Sequence, residues 1–599
     1  MGVEKGLRAA AAVCVCSASL FLTTAFGAEK ATVNGPVAGT QQVSFDVYLP
    51  LEHRAELDAL LTSLTDPNSP KYHKWLTPAQ FHKQFGASSA KVAAVQRELE
   101  AFGMTAELVS PQKFHVTGTA HAVELMLATE LHKGKFKNGR TTIVAVGGMS
   151  MPSALTSNGV VVTGLEGIIH MHRHAEKLAG VVPQNRQSQR GGYWFNDLKQ
   201  AYSYPSYEVL NGQGVTMGIL MTNDFNAADM ALYFGHENMP VPNMTTVNVD
   251  GGAPFDANES FETHLDLQQT GGMAPLANHI LYNLPDLSDQ HILDGLGMIL
   301  ESNAVDVVSM SFGGPEIGYA PSYNGGVSFL GILGIYDDMF KQGNAQGITF
   351  VASSGDLGAR SVPALACFAP NATSGCGGFE VSVETPASSP HVTGVGGTNL
   401  VTTFNQGSLD SAYVSEAAFG DPLTADIFYG TPATGGFWGS GGGVSIYYRR
   451  PFFQYLVDTG STMRTVPDVS LHMGGCPRGS VLPCGPDRSY DAAAIDNQLV
   501  GVVGTSASAQ DFAGLIALKI QKTGGRVGNE NPSIYLMSLL QSVGLLKNIF
   551  NDNIPGDNGL YTTHKGYDYV LGTGTPNGVN YLLAPNMPVA GTPQTPSNP

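Results

Sequence analysis

The chain has 599 residues, 43% of them hydrophobic, which is enough for more than one folded unit and a large core. With 31 Lys and Arg against 49 Asp and Glu, the formal net charge is -18 at pH 7, which argues against a nucleic-acid partner because phosphate binding needs concentrated bases. Charged residues make up only 13% of the chain, so positive self-repulsion stays limited as carboxylates neutralise, and the composition suits an acid-tolerant protein.

In chain order, Lys5 and Arg8 precede an apolar stretch from Ala9 to about Phe26 and then Gly27-Ala28-Glu29. This is the pattern of a secretory signal peptide, residues 1–28, cleaved after Gly27 or Ala28; a membrane anchor is the alternative. Cys14 and Cys16 would leave with it. Between residues 35 and 174, strands and amphipathic helices alternate. Val43 to Leu49 reads as a half-buried strand, and Glu52 to Leu64 as a helix with Leu57, Leu60, Leu61 and Leu64 on one side. Residues 175–190, with Arg186 and Arg190 among Gln, Asn and Ser, read as an exposed linker open to proteolytic nicking.

From 191 to 583 the pattern is α/β. Strands Val215–Met221, Val305–Ser311 and Ile348–Ser353, separated by helix-compatible segments, imply a mostly parallel sheet covered on both faces. Within it, Glu262 and Asp266 stand four apart in a segment without Gly or Pro, so a helix there carries both carboxylates on one face. A solvated helix face is the bland explanation of that spacing. His264 lies about 200° around the same helix, away from them, and reads as an exposed or core-edge histidine. The strand ending in Ser353-Ser354-Gly355-Asp356 places a carboxylate at a C-terminal sheet edge, where sites assemble in open α/β sheets. Four cysteines, Cys367, Cys376, Cys476 and Cys484, suit an oxidising compartment; local pairing, 367 with 376 and 476 with 484, is preferred over a zinc site. The apolar run Val500 to Val503 breaks at Gly504 and releases Thr505-Ser506 into a small-residue helix, a junction that suits a nucleophile beside unpaired backbone N–H groups. Asp552 and Asp568 sit in glycine-rich loops that can supply hard oxygen ligands to calcium. Residues 584–599, rich in Pro, Thr, Ser and Asn, read as a disordered tail.

Taken together, Glu262-x-x-x-Asp266, Ser-Gly-Asp356 and Gly-Thr-Ser506, in that order, resemble the sedolisin family of serine-carboxyl peptidases. Val307 to Gly314, His391 to Thr398, Gly441 to Ser445 and Arg464 to Ser470 are similar to further family motifs, and Lys71 to Phe81 with Phe85-Gly86 resembles the family's activation domain. The resemblance implies a subtilisin-like α/β/α sandwich behind an α+β propeptide domain that inhibits intramolecularly, a monomer secreted as a proenzyme, with polypeptide substrates and no membrane attachment after signal cleavage. It implies that Ser506 is the nucleophile, Glu262 the general base and acid, Asp266 its orienting partner, and Asp356 an oxyanion-hole donor. It also implies one calcium ion on the side chains of Asp552 and Asp568 and the carbonyls of Asn553, His564 and Gly566. The chain departs from the family at Gln510, where proline is usual, at Phe312 for tryptophan, at Met221 for glutamate, and at Val503 for a small residue.

This chemistry has a physical reason. A histidine base with a pKa of about 6.5 is protonated in acid, whereas a glutamate near about 4.3 still accepts a proton from serine. Asp356 must be protonated to donate to an oxyanion, which also favours acid. The expected activity is therefore acidic serine-carboxyl peptide hydrolysis. The rivals are a catalytically inactive secreted binding protein on the same fold and a histidine-dependent subtilisin-type protease.

Overall fold

The computed structural model describes residues 29–137, 139–178, 189–369, 371–404, 411–422, 432–476 and 488–584. The expected signal peptide, Cys484 and the C-terminal tail lie outside the described residues.

The N-terminal unit is built on β1 (Gln42–Tyr48), followed by α1 (Arg54–Thr65), α2 (Pro78–Phe85), α3 (Ser89–Ala101), β2 (Thr105–Ser110), β3 (Lys113–Thr119), α4 (Ala120–Leu127) and β4 (Val161–Thr163). The strands form one antiparallel sheet in the order β2-β3-β1-β4. Phe45, Val47, Phe114 and Val116 on the sheet pack with Val95 and Leu99 of α3 and Val123 and Leu127 of α4. Helix α2 starts with Pro78 in its first turn behind a capping box in which Thr77 and Gln80 bond each other's backbone N–H.

This unit docks on the second through α1 and α2. Leu57, Leu60, Leu64, Phe81 and Phe85 form a small core that includes Ala345 of the second unit. Trp75 closes it: a Cβ on Gly347, at φ +85°, would sit 2.7 Å from the indole, and one on Gly528 would sit 2.8 Å away.

The chain next crosses the second unit as two short strands, β5 (His172–Arg173) and β6 (Glu176–Leu178). The second unit holds β7 (Thr216–Thr222), α5 (Ala227–His236), β8 (Asn243–Asn248), α6 (Phe261–Met273), β9 (Asn278–Leu284), α7 (Asp289–Ser302), β10 (Val307–Met310), β11 (Phe312–Pro315), α8 (Leu330–Ala345), β12 (Thr349–Ser353), β13 (Thr393–Thr402), β14 (Tyr413–Ala418), β15 (Val469–His472), β16 (Asp491–Ile495), β17 (Gln498–Val503) and α9 (Thr505–Thr523). Its eight-stranded sheet runs β8-β9-β7-β10-β12-β13-β14, with β15 also on β13; every pairing is parallel except that of β13 with β14. Helices α6 and α9 pack together against the sheet, as do α7 and α8, giving the expected α/β/α sandwich.

The three strands expected at 215–221, 305–311 and 348–353 are neighbours in this sheet, displaced by two residues or fewer at their N-terminal ends. The stretch expected as an exposed linker differs. Ala175 is buried, residues 176–178 form β6, and 179–188 lie outside the described residues. The reason is an unfilled sheet edge at β17, whose backbone groups gain partners when the chain passes along them.

Candidate active site

Helix α6 carries Glu262 and Asp266 on one face, as the four-residue spacing requires, but that face is not solvated: both residues are fully buried. Burial pushes the Glu262 carboxyl well above its ordinary range, with the neighbouring Asp266 adding to the shift, and burial pushes Asp266 up to about 8. Two carboxyls this close titrate as a unit, and such a pair retains a proton through the acidic range.

Helix α9 begins directly after β17, so the strand-to-helix junction expected at Gly504 is present and Ser506 occupies the first turn. The Ser506 hydroxyl interacts with Glu262 and pulls its pKa partly back down. Neither Ser506 Oγ nor either Glu262 oxygen makes a fully formed hydrogen bond among the described residues. A precursor site with a long or misaligned nucleophile–base contact is ordinary before the reacting geometry tightens.

Asp356 follows β12 at the C-terminal sheet edge. Its Oδ1 accepts the Thr505 N–H at 2.8 Å and the Thr505 hydroxyl at 2.6 Å, while Oδ2 is buried without a hydrogen-bond partner among the described residues. Burial raises this carboxyl to about 7, despite the opposing charge of His174 and the Thr505 bonds. A protonated Asp356 is therefore the favoured form in acid.

All four residues expected at the site converge here, and the chain that crosses the cleft shows what they converge on. β5 pairs antiparallel with β11, His172 opposite Gly313 and Arg173 opposite Phe312. β6 pairs antiparallel with β17, Glu176 to Leu178 opposite Val503 to Gly501. Between them, the His174 carbonyl accepts the Ser506 N–H at 3.3 Å and the His174 N–H donates to the Ser311 carbonyl at 3.2 Å. Gly504 permits this approach, since a Cβ there would lie 2.1 Å from the His174 oxygen and 2.7 Å from Asp356 Oδ2. The His174 side chain is fully buried, its Nδ1 2.7 Å from Ser353 Oγ and its Nε2 2.6 Å from Glu384 Oε2. Burial alone would lower this imidazole, and the Glu384 carboxylate holds it above its ordinary value.

Several partners had no assigned role in the sequence. Ser311 Oγ donates to Asp266 Oδ1 at 2.7 Å, and Gln510 Nε2 donates to Ser311 Oγ at 2.7 Å. Gln510 thus replaces the usual proline with a donor that braces Asp266; the i+4 offset from Ser506 was the available signal. Glu384 and His174 lie 210 positions apart and carried no joint signal. His264 does point away from the carboxylates, but it is not exposed: it is fully buried, with Nδ1 2.7 Å from the Ser260 carbonyl and Nε2 3.2 Å from Asp229 Oδ2. A helix packed on both sides has no wet face to offer it.

Away from the cleft, Asp552 Oδ2 accepts the Gly566 N–H at 3.2 Å and Asp568 Oδ2 accepts the His564 N–H at 3.1 Å, so the loops around 552 and 564–568 face each other. Asn553 is exposed beside them. Cys367 and Cys376 form the local disulfide expected, and Cys476 is also disulfide-bonded. No helix among the described residues is long and apolar enough to cross a membrane.

Comparison with known proteins places both units. The N-terminal unit matches the pro-kumamolisin activation domain over residues 29–167, and the second unit matches the subtilase family over residues 256–537. Kumamolisin from Bacillus sp. (strain MN-32) is 26% identical over 583 residues, covering 93% of this chain and 94% of the relative. Sedolisin from Pseudomonas sp. (strain 101) is 25% identical over 556 residues, covering 88% and 84%, and tripeptidyl-peptidase 1 from Rattus norvegicus is 24% identical over 568 residues, covering 91% of each. Among solved structures, Pseudomonas sedolisin, a serine-carboxyl proteinase complexed with two molecules of pseudo-iodotyrostatin, superposes with a TM-score of 0.53 at 23% identity, covering 66% of this chain and 98% of that one.

A subtilisin-like body with an activation domain lying across its cleft is a serine-type peptidase made as a precursor. The chain carries a pro-kumamolisin activation domain ahead of a subtilase-type peptidase domain, and over most of its length it is similar to the serine-carboxyl peptidases kumamolisin and sedolisin.

Proposed function

We propose that the chain is a secreted, monomeric acid endopeptidase that first cuts its own His174–Ala175 bond and then hydrolyses other polypeptides by the same Ser/Glu/Asp mechanism. The observation that carries this reading is the His174 carbonyl held on the Ser506 N–H, with Glu262 at the Ser506 hydroxyl and Asp356 Oδ2 beside the same Gly504. Ser506 Oγ adds to the His174 carbonyl carbon while Glu262 takes its proton. The oxygen, now negative, is stabilised by the Ser506 N–H and by the proton on Asp356. As the C–N bond breaks, Glu262 returns the proton to the departing Ala175 amine, leaving an acyl-enzyme that water then hydrolyses with Glu262 again as base. Asp266, held by Ser311 and Gln510, orients Glu262 and shares its proton.

Chain continuing on both sides of the bond, paired with β11 before it and with β17 after it, supports endopeptidase rather than terminal action. Glu384 at the base of the His174 pocket favours a hydrogen-bond-donating or cationic side chain before the scissile bond. The inactive-scaffold rival loses its main support, because Gln510 has a place in the Asp266 network. Asp552 and Asp568 lie on facing loops, and with the carbonyls of Asn553, His564 and Gly566 they would offer the all-oxygen donor set that calcium takes; the ion would supply structural cross-linking there.

The test is incubation of the purified precursor at about pH 4 and about pH 8 with a protein substrate, beside Ser506→Ala. The expected result is conversion and substrate cleavage in acid, a new N-terminus at Ala175 early in the time course, and neither event in the variant. Cleavage confined to the alkaline sample, or processing undiminished in Ser506→Ala, would overturn the reading.

A further inference from the structure

His172 and His174 alternate along the extended segment in the cleft, so their side chains fall on the same face. There they meet Glu384, which comes from an unrelated part of the peptidase domain. All three are at most 1% exposed, and their donor atoms lie within 4.8 Å of one another. His174 Nε2 stands 2.6 Å and His172 Nε2 3.8 Å from Glu384 Oε2. The remaining nitrogen of His174 is fixed by Ser353 Oγ at 2.7 Å, the outer bond that sets ring orientation in metal-ligating histidines. Glu384 Oε1 is buried without a hydrogen-bond partner among the described residues, leaving a second carboxylate oxygen available.

From this geometry we propose that the precursor binds one zinc-class transition-metal ion through His172, His174 and Glu384, and that the ion ties the propeptide strand into the cleft. Two imidazoles and a carboxylate form a zinc donor set with a fourth position open to water. Two nitrogen donors also select against calcium and magnesium, which prefer oxygen. Bonds of about 2.0 to 2.1 Å at tetrahedral angles place ligand atoms roughly 3.3 Å apart. The observed separations of 2.6 and 3.8 Å bracket that value, so small side-chain shifts complete the site. Two ligands belong to the propeptide side of the His174–Ala175 bond and one to the peptidase domain. The site therefore exists only while the precursor is assembled, and the bound ion slows maturation. That last consequence, unlike the metal site, rests on the maturation proposed above.

The experiment uses full-length Ser506→Ala precursor, which cannot process itself, titrated with zinc chloride by calorimetry at neutral pH, with cobalt chloride in parallel for its visible spectrum. One equivalent of zinc should bind, and cobalt should show the intense bands of a tetrahedral site. His172→Gln and Glu384→Gln, each checked for an unchanged circular dichroism spectrum, should weaken zinc by about a hundredfold or more, since even an outer partner is worth ten- to a hundredfold. Calcium chloride should not compete. Zinc bound equally by both variants, or no tetrahedral cobalt spectrum in the Ser506→Ala parent, would overturn the site; the cobalt measurement decides even if a variant fails to fold. Separately, zinc should slow conversion of the precursor with Ser506 intact, but not of its His172→Gln form. A precursor that binds the ion yet never converts in its absence would sink the peptidase reading and leave the metal site standing.

Discussion

The propeptide is held on the peptidase domain in two physically different ways. Its globular part meets the domain through the small apolar core under Trp75 and, around it, through side-chain charge: Arg54 bonds Asp338 at 2.5 Å, His82 lies 2.6 Å from Glu301, Lys113 pairs with Asp294 and Arg140 with Asp286. Lys341 to Asp58, at 3.0 Å, reverses the polarity. The cleft segment is instead held by main-chain ladders on β11 and β17 and by buried groups around His174. The charged rim of the outer face therefore answers to salt and to carboxylate titration, whereas the main-chain grip in the cleft answers to shape and to chemistry at one bond.

The comparison breaks most sharply at Ser506. Ser506→Ala should leave both attachments intact but lower turnover by about 10⁴-fold or more, the loss typical of removing a serine nucleophile; a precursor that stays one chain on a denaturing gel in acid is the readout. Asp356→Ala should cost about a hundred- to a thousandfold in kcat, measured on a peptide substrate after maturation in trans. Its pH signature has a definite sign. With its carboxyl pushed up to about 7, Asp356 carries its donor proton below that pH and loses it above, so turnover should fall as pH rises through about 7. Asp356→Asn keeps a donor at every pH and should move that limb upward.

Smaller effects belong to the outer face. Trp75→Ala removes an indole seated on Gly347 and Gly528 and should weaken docking by about 1 to 3 kcal/mol, seen as earlier release of the propeptide in a chaotrope titration of Ser506→Ala precursor. Asp338→Asn breaks a partly exposed pair with Arg54 and should cost no more than about 1 kcal/mol, an effect that shrinks in high salt. If the two outer-face variants changed the bond first cut, or if salt alone expelled the cleft strand, the division between the two attachments would be wrong.

The sequence made the four converging side chains legible because each sits on a local pattern. Glu262 and Asp266 follow helical spacing, Asp356 a strand end, and Ser506 a strand-to-helix break. That the main strands run mostly parallel was legible for the same reason, although their order in the sheet was not. Contacts across the fold were not. His174 finds Glu384 only because the propeptide closes over the cleft, and Gln510 gains meaning only once Ser311 and Asp266 lie beside it. Burial of His264 likewise depends on what packs against α6, here Asp229 and Phe255.

The paired strands around His174 have a further consequence for what this enzyme can digest. Gripping main chain on both sides of the cut demands a straight run of several residues, from 172 to 178 in its own case. Compact native proteins rarely offer one. On the proposed maturation cut, such a cleft would favour chains that a low pH has already loosened over intact folded ones.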